Sequence, residues 1–493
     1  MRYSLFVYLC QMFGTFQEAA EYISKSQGRN RQLLSECIEG LGAVNTVLQN
    51  NQDSVLDPEI QESIGRCRRQ CQELLDEELD SPQEEKTRLA GNMKALWESF
   101  RKGISVKYKV VFFAELGQKW DSMSSLYEAF RARSDCETAV VIEPIFREAT
   151  VGGEKKRDVI YQDYLTPMGI SNIPYEFYDL SKELPDMAFI SNPYESVTLE
   201  QFWPDNIAKY SKLVYVPYYT NMASSESSVC ALCGMPVATQ AWRILAQSEE
   251  IMKIHRKYAP KHGANLLVTG LPKWDNILEL KKAPETLPKG WKEKISGKKV
   301  FLWNSHFAVS PSEPGTLLDY GQAIVDVFSG RKDIALIWRP HPMTSTIFKL
   351  YASAARPFWE KLVHTVESAP NMVFDTGLSY VPSFQASDAL LSDFSSIIAQ
   401  YMLTGKPVLW LKNKIDPRGK GYIEDTVHID CLEQAESTRD IAAFIDRIVG
   451  GIDPGKEERL RCVRKDLPFA DGHIGERTCS LLLEDLQRED GLI

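Results

Sequence analysis

Ser387-Asp-Ala-Leu-Leu-Ser-Asp-Phe-Ser-Ser-Ile-Ile-Ala-Gln-Tyr-Met-Leu-Thr-Gly-Lys-Pro-Val-Leu-Trp410 decides the fold class. Ala389-Leu390-Leu391 is a short apolar run suited to a buried strand. Asp393, Ser395 and Ser396 are residue types that start helices, and Ile397, Ile398, Tyr401 and Met402 follow on one helical face. The spacing predicts a helix from Ser395 to Leu403 with Asp393 capping its turn, stopped by Gly405, and a new strand from Pro407. This is a strand-turn-helix-strand unit whose Ser-rich turn meets a helix N-terminus. Free N–H groups and the helix dipole suit such a place to a phosphate, although an ordinary capped helix reads the same way.

A second stretch narrows the choice. Ile334 to Ile337 is an apolar strand and runs into Trp338-Arg-Pro-His-Pro342. Arg339 and His341 then fall where a parallel strand gives way to its loop, the ligand edge of an open α/β sheet. Val300-Phe-Leu-Trp-Asn-Ser-His306 is another strand that places Ser305 and His306 at a corresponding edge. Earlier, Leu266-Leu-Val-Thr-Gly-Leu-Pro-Lys-Trp-Asp275 is a strand running into a turn.

In this order, Arg-Pro-His-Pro, Ser-Asp-Phe-Ser-Ser and Gly-Lys-Pro resemble the CDP-glycerol glycerophosphotransferase family, the teichoic-acid polymerases and primases. The resemblance covers roughly Lys107 to Asp446, and Gly270, Pro272 and Asp275 are similar to the family's Gly-x-Pro-x-x-Asp element. It implies an α/β protein of the GT-B kind, with two Rossmann-like lobes. The implied enzyme moves glycerol phosphate, or a related polyol phosphate, from a CDP-activated donor to a hydroxyl of a cell-surface polymer or its lipid-linked precursor, and CMP leaves. A GT-B glycosyltransferase using a sugar nucleotide is the other enzymatic reading, and Glu424 leaves it open as a ribose-binding residue. A non-catalytic nucleotide-binding scaffold is the third.

The rest of the chain fits around this centre. Residues 1 to 105 show four apolar stripes at helical spacing, with breaks at Ser26–Asn30, Asn50–Pro58 and Asp80–Pro82. They predict an all-helical bundle or hairpin, with homo-oligomer formation as one use of it. A peripheral contact between the first helix and a membrane surface is the alternative use, although its polar face has few cations. From Lys107 strands and helices alternate, which predicts a parallel sheet. The expected strands include Lys109–Phe113, Thr138–Ile142, Tyr175–Tyr178, Met187–Ile190 and Leu213–Pro217. The first lobe, the acceptor side, is expected over 106–285 and the second, the CDP-donor side, over 286–450. One long helix is expected over Thr346–Val363. A mostly helical stretch is expected from Leu432, with a tail at 451–493 that crosses back over the first lobe by analogy with GT-B proteins.

Composition sets limits. The chain has 493 residues, is 44% hydrophobic and 25% charged, and carries a net charge of −10, which argues against bulk binding of nucleic acid. Ten cysteines are scattered without a disulfide pattern, and no signal peptide is evident, so the expected location is cytoplasmic, including a peripheral position at the inner face of the plasma membrane. Cys230-Ala-Leu-Cys233 has half the spacing of a zinc site and no matching second pair, so neither metal nor other cofactor is expected.

The chemistry divides by lobe. Arg339 offers a planar fork for phosphate oxygens, and His341 can donate to a phosphate or shuttle a proton, so these two are the catalytic candidates. His306, Ser305, Asp393, Ser395 and Ser396 are the donor and phosphate-binding candidates. Asp393, as a carboxylate, is better suited to ordering the turn or binding a hydroxyl. On the acceptor side the family carries a Trp-His-Gly-Thr-Pro motif whose His is the implied base. Here the matching strand reads Leu213-Val-Tyr-Val-Pro-Tyr-Tyr-Thr-Asn221, with neither His nor Gly. Tyr218, Tyr219, Asn221 and Asp275 remain as acceptor-side candidates, but a tyrosine is a poor base near neutral pH.

Overall fold

The computed structural model describes residues 1–492 apart from 29, 52–56, 78–81, 152–153, 221–231, 280–286, 308–314, 394 and 413–430. Two compact units emerge. One comprises residues 1–110, 130–138 and 480–493, and the other 111–129 and 139–479.

The first unit is built on four helices, α1 (Tyr3–Lys25), α2 (Arg31–Asn50), α3 (Pro58–Asp76) and α4 (Gln83–Gly103). Each turns one apolar stripe inward. Phe6, Phe13, Leu41, Ile64, Cys71, Leu89, Leu96 and Phe100 meet in one core. Helix α3 starts by rule: Asp57 accepts the N–H of Glu59, and Pro58 stands where a missing N–H costs nothing. A Cβ on Gly40 of α2 would lie 2.6 Å from the Phe16 ring of α1, so glycine permits that close approach. Among the described residues no helix is long and apolar enough to cross a membrane.

The second unit holds the α/β architecture. Its first sheet takes β1 (Tyr108–Ala114), β2 (Cys136–Ile142), β5 (Ile173–Pro174), β6 (Met187–Ile190), β7 (Lys212–Tyr215), β8 (Arg243–Ala246) and β9 (Leu266–Val268), in the order β5-β2-β1-β6-β7-β8-β9. A separate antiparallel hairpin, β3 (Ile145–Val151) and β4 (Glu154–Ile160), follows β2. The second sheet takes β10 (Lys299–Ser305), β11 (Ile334–Pro340), β12 (Met372–Phe374), β13 (Ala389–Ser392), β14 (Val408–Leu411) and β15 (Glu433–Ala435), in the order β12-β11-β10-β13-β14-β15. All its pairings are parallel. Its central strands are buried on both faces, which is why they read as unbroken apolar runs. Trp303 of β10 and Trp338 of β11 stack with centroids 4.8 Å apart. Two Rossmann-like lobes in one chain define the GT-B fold.

Several expected elements change. The helix expected over Thr346–Val363 divides into Thr344–Leu350 and Arg356–Ser368, joined through a 3₁₀ turn at Ser353–Ala355, because Pro357 suits only a first helical turn. The strand expected at Tyr175–Tyr178 is a 3₁₀ turn, Tyr175–Phe177, preceded by the two-residue β5, where Pro174 ends the ladder. The stretch from Leu432 is mostly helical as expected, with helices Thr438–Val449, Lys456–Asp466 and Ile474–Glu489 after the short edge strand β15. The hairpin β3–β4 was readable from Gly152-Gly153 between two polar-rich runs and was not anticipated.

Candidate functional site

Both sheets have a switch point, where the chain leaves the central strand first to one side and then to the other. In the second lobe it lies between β10 and β13. Ligands of open α/β sheets bind outside the strand ends at such a crevice. Asn304 of β10 lies opposite Arg339 of β11 on one side and Ser392 of β13 on the other. His306, His341 and Asp393 are the next residues out, so the parallel register brings the predicted motifs to one edge.

The two histidines are neighbours, with ring centroids 5.9 Å apart and Phe307 packed against both. His341 is placed by its N–H, which donates to the Ser305 carbonyl at 2.9 Å. Its Nδ1 accepts the N–H of Met343 at 3.1 Å, which leaves the proton of the neutral ring on Nε2. Burial lowers the His306 pKa to about 4, so this ring is neutral at physiological pH.

Asp393 differs from its expected role. Its carboxylate does not cap the helix after it. Oδ1 accepts the His306 N–H at 2.8 Å, and Oδ2 accepts the Thr316 N–H at 2.9 Å and the Thr316 hydroxyl at 3.2 Å. Asp393 therefore ties the exit of β10 to the start of the helix Leu317–Phe328. Burial pushes its pKa up to about 7, against the hydrogen bonds from Thr316 and His306 that favour the charge. The helix expected from Ser395 spans Ile397–Met402. Ser395 Oγ accepts the Ile397 N–H at 3.3 Å, and Ser396, at the N-cap position, makes no capping bond with its side chain. Both serines are half-buried.

Arg339 also departs from expectation. It is only 8% exposed, and its fork is engaged by the protein itself. One terminal nitrogen donates to Asp375 Oδ2 at 2.7 Å and the other to the Gly377 carbonyl at 2.8 Å. Asp375 is further bound by the Ser383 hydroxyl and the Gly377 N–H. Arg339 thus shapes the turn after β12. Ser305 is fully buried and accepts the Trp338 indole N–H at 3.1 Å, so its hydroxyl is occupied in the core rather than at the edge.

On the first lobe, Asp275 is buried and spoken for. It accepts the N–H groups of Ile474 at 3.1 Å and Gly475 at 2.8 Å, and the Ser125 hydroxyl at 3.1 Å. It anchors the start of the tail helix Ile474–Glu489, where a Cβ on Gly475 would come within 2.6 Å of the Ser125 backbone. Burial raises the Tyr219 hydroxyl to about 12 and pushes Tyr218 higher still, so the phenolate that could act as a base is scarcer near neutral pH than in free tyrosine. Asn221, Glu424 and Cys230 lie outside the described residues. Among the described residues no cluster of His, Cys, Asp and Glu could hold a metal.

The structure adds residues that the motifs did not single out. Lys273 is buried, donates to the Tyr218 carbonyl at 2.7 Å, and lies 5.9 Å from the Tyr380 ring of the second lobe. Burial lowers its pKa to about 8 while Asp121 raises it. Burial raises Asp121 to about 6, although Lys273, Arg339 and the Ser379 hydroxyl favour its charge. Lys273, Asp121 and Arg339 therefore form a charged seam between the lobes. Lys273 sits inside the quoted Gly270–Asp275 element, so its place was readable; Asp121 follows a turn with no comparable signal.

Two Rossmann-like lobes, each with a switch-point edge, define a protein of the GT-B fold. Residues 239–484, just under half of the chain, match the family model of CDP-glycerol:poly(glycerophosphate) glycerophosphotransferase. This region, which contains the whole second-lobe edge, belongs to that family, and the chain is accordingly a transferase of the CDP-glycerol glycerophosphotransferase class. No curated protein is found to match the sequence. Among solved structures, a UDP complex of MnaA from S. aureus is similar at 14% identity and a TM-score of 0.50, covering 78% of this chain and 98% of that one. A structure described as a UDP-N-acetylglucosamine 2-epimerase from Listeria monocytogenes is similar at 13% identity and a TM-score of 0.51, covering 78% and 97%. The wall teichoic acid polymerase TagF aligns at 11% identity and a TM-score of 0.48, covering 88% and 100%.

Proposed function

We propose that the protein carries glycerol phosphate, or a closely related polyol phosphate, from its CDP-activated form to a hydroxyl of a cell-surface polymer or its lipid-linked precursor, with release of CMP. The observation that carries this reading is the family match over residues 239–484, which includes every residue of the second-lobe edge. That edge is suited to the donor. The Nε2–H of His341 and the Ser395–Ser396 turn are donors for phosphate oxygens, and His306 is a neutral ring that a bound dianion would recharge. Arg339 and Lys273 supply positive charge behind them. Division into an acceptor-side lobe over 106–285 and a donor-side lobe over 286–450 is part of the proposal, as are a cytoplasmic location, a peripheral membrane contact and self-association through α1–α4.

The reaction needs two phosphates held, charge on the leaving CMP neutralised, and the attacking hydroxyl oriented and deprotonated. Incubation with CDP-glycerol, CDP-ribitol and UDP-sugars, scored by nucleotide release, tests this. CMP from a CDP-polyol in the presence of a hydroxyl acceptor is the expected result. UDP release from a sugar nucleotide would instead make the protein a glycosyltransferase, and tight CDP binding with no turnover would make it a scaffold.

A further inference from the structure

The first lobe has its own switch point, between β1 and β6. Glu115 directly follows β1, Glu143 directly follows β2, and Asn192 lies just beyond β6. The N–H of Glu143 donates to the Ala114 carbonyl at 2.9 Å, which sets the two glutamates on neighbouring strand ends. They are 3% and 2% exposed. Lys119 Nζ meets Glu115 Oε2 at 2.8 Å, and it is the cation that balances the pair. Burial raises both carboxyls, and the charge of Glu115 raises Glu143 further, while Lys119 favours the charge of both.

The cluster is incomplete as a protein core. Glu143 Oε2 and the Tyr164 hydroxyl have no hydrogen-bond partner, and the Asn192 amide faces Glu115, whose charge it favours. Tyr164 and Asn192 are 4% and 5% exposed, and the Tyr164 hydroxyl lies within the field of both carboxylates. Buried polar atoms are nearly always paired, so two unpaired ones beside a buried glutamate pair at a switch point mark a place that a ligand completes. Two carboxyl oxygens beside a phenol and an amide match hydroxyl groups, which donate and accept at once. Like charge turns a phosphate away. The rim opens at Lys119, whose side chain is 18% exposed, and at half-buried Tyr218. Lys119 Nζ lies 4.6 Å from the centre of the Tyr218 ring, and the Tyr218 carbonyl holds Lys273, so the cluster is continuous with the seam between the lobes.

We propose that Glu115 and Glu143 bind the hydroxyl-bearing end of the acceptor, and that Glu115 is the base that deprotonates it. This rests on the transferase reading above. As the acceptor oxygen bonds to the phosphorus that carries glycerol, its O–H bond breaks and the proton passes to Glu115 Oε1. The bond from that phosphorus to the CMP oxygen breaks, and its electron pair leaves with CMP. Glu143 keeps its proton and donates to an adjacent hydroxyl. The pair supplies the base that Leu213–Asn221 lacks. The titratable groups facing it are Lys119, Tyr164, Tyr215 and Tyr218, with Asp121 and Asp163 beyond Tyr164.

The test uses the full chain, CDP-glycerol, and a synthetic glycerol phosphate oligomer as acceptor. Glu115→Gln should lower kcat by about 100-fold or more while leaving CDP-glycerol affinity and the thermal melt near wild type. Glu143→Gln should act mainly on the acceptor KM. Wild-type kcat/KM for the acceptor should fall on the acid side as Glu115 takes up a proton, with donor affinity flat over the same range. Turnover of Glu115→Gln within threefold of wild type overturns the proposal. So does an acid limb that persists unchanged in that variant. Should Glu115→Gln fail to fold, a wild-type profile with no acid limb overturns it equally. A wild-type protein that binds CDP-glycerol and never releases CMP overturns the transferase reading instead, and this inference falls with it.

Discussion

Asp393 Oδ1 accepts the backbone N–H of His306 at 2.8 Å, across the switch point from the exit of β13 to the exit of β10. The same carboxylate holds Thr316 through its N–H and its hydroxyl. One buried side chain therefore fixes two loops that border the candidate donor site. It touches the edge through backbone groups, which makes it a positioning residue.

Asp393→Asn should destabilise the protein. The amide keeps one acceptor oxygen but turns an NH₂ toward groups that also donate, so a buried donor loses its partner. The expected loss is about 1–3 kcal/mol in a denaturant melt. The pH dependence has a defined sign. Asp393 has a folded pKa raised to about 7, so the folded state binds its proton more tightly than the unfolded chain does. Stability from this group is greatest below the ordinary carboxylate range and falls as pH rises toward 7. That part of the wild-type slope should be absent in Asp393→Asn. Equal slopes in the two proteins would contradict the assignment.

Arg339 and Asp375 form a buried ion pair at 2.7 Å. Arg339→Met leaves the Asp375 carboxylate without its cation, and the expected cost is about 3–5 kcal/mol. Adding Asp375→Asn should recover much of that stability, because no unpaired charge remains. Calorimetric titration with CDP separates the two roles. If Arg339 also faces the donor phosphates, affinity stays lost in the double variant. If affinity returns with stability, Arg339 only shapes the turn at Gly377.

How far the sequence reached can be traced through these residues. Arg339, His341, His306 and Asp393 were legible as strand-end residues, because parallel strands buried on both faces leave clear apolar runs that stop at the edge. What each side chain touches was not legible. Arg339 pairs with Asp375, 36 positions away in the chain, and Asp275 caps a helix start about 200 positions away. Neither partner belongs to a local pattern. Glu115 and Glu143 follow apolar strands as plainly as His341 does, yet an acidic residue after a strand is common. Only burial and unpaired oxygens set them apart.

Lys273 gives a pH effect of the opposite sign from Asp393. Burial lowers its folded pKa to about 8, below the ordinary lysine value of about 10.4. Between these values the unfolded chain holds the proton and the folded protein does not, so stability from this group rises with pH across that window and is lowest below it. Lys273→Met should flatten that rise in melts taken from pH 7 to 10. If Lys273 also serves the donor, the same variant should lose CDP affinity at pH 7. Flattening with unchanged affinity would restrict Lys273 to holding the Tyr218 carbonyl.

The Ser395–Ser396 turn gives the most direct test of the donor site. Ser396 stands at the N-cap position of the helix Ile397–Met402 and makes no capping bond with its side chain, so local structure does not depend on its hydroxyl. Ser396→Ala removes one donor and keeps the backbone, and the expected loss in CDP-glycerol affinity is about 1–2 kcal/mol. Ser396→Asp puts a carboxylate where a phosphate is proposed to sit, and like-charge repulsion should abolish binding. Folding should survive, since aspartate is favourable at a helix start and interacts well with its dipole. If the turn is only a helix start, the order reverses: Ser396→Asp is harmless or slightly stabilising, and affinity is unchanged. Calorimetry beside a thermal melt decides. A folded Ser396→Asp protein that binds CDP-glycerol as tightly as wild type would remove the phosphate from this turn and leave His306 and His341 to hold the donor alone.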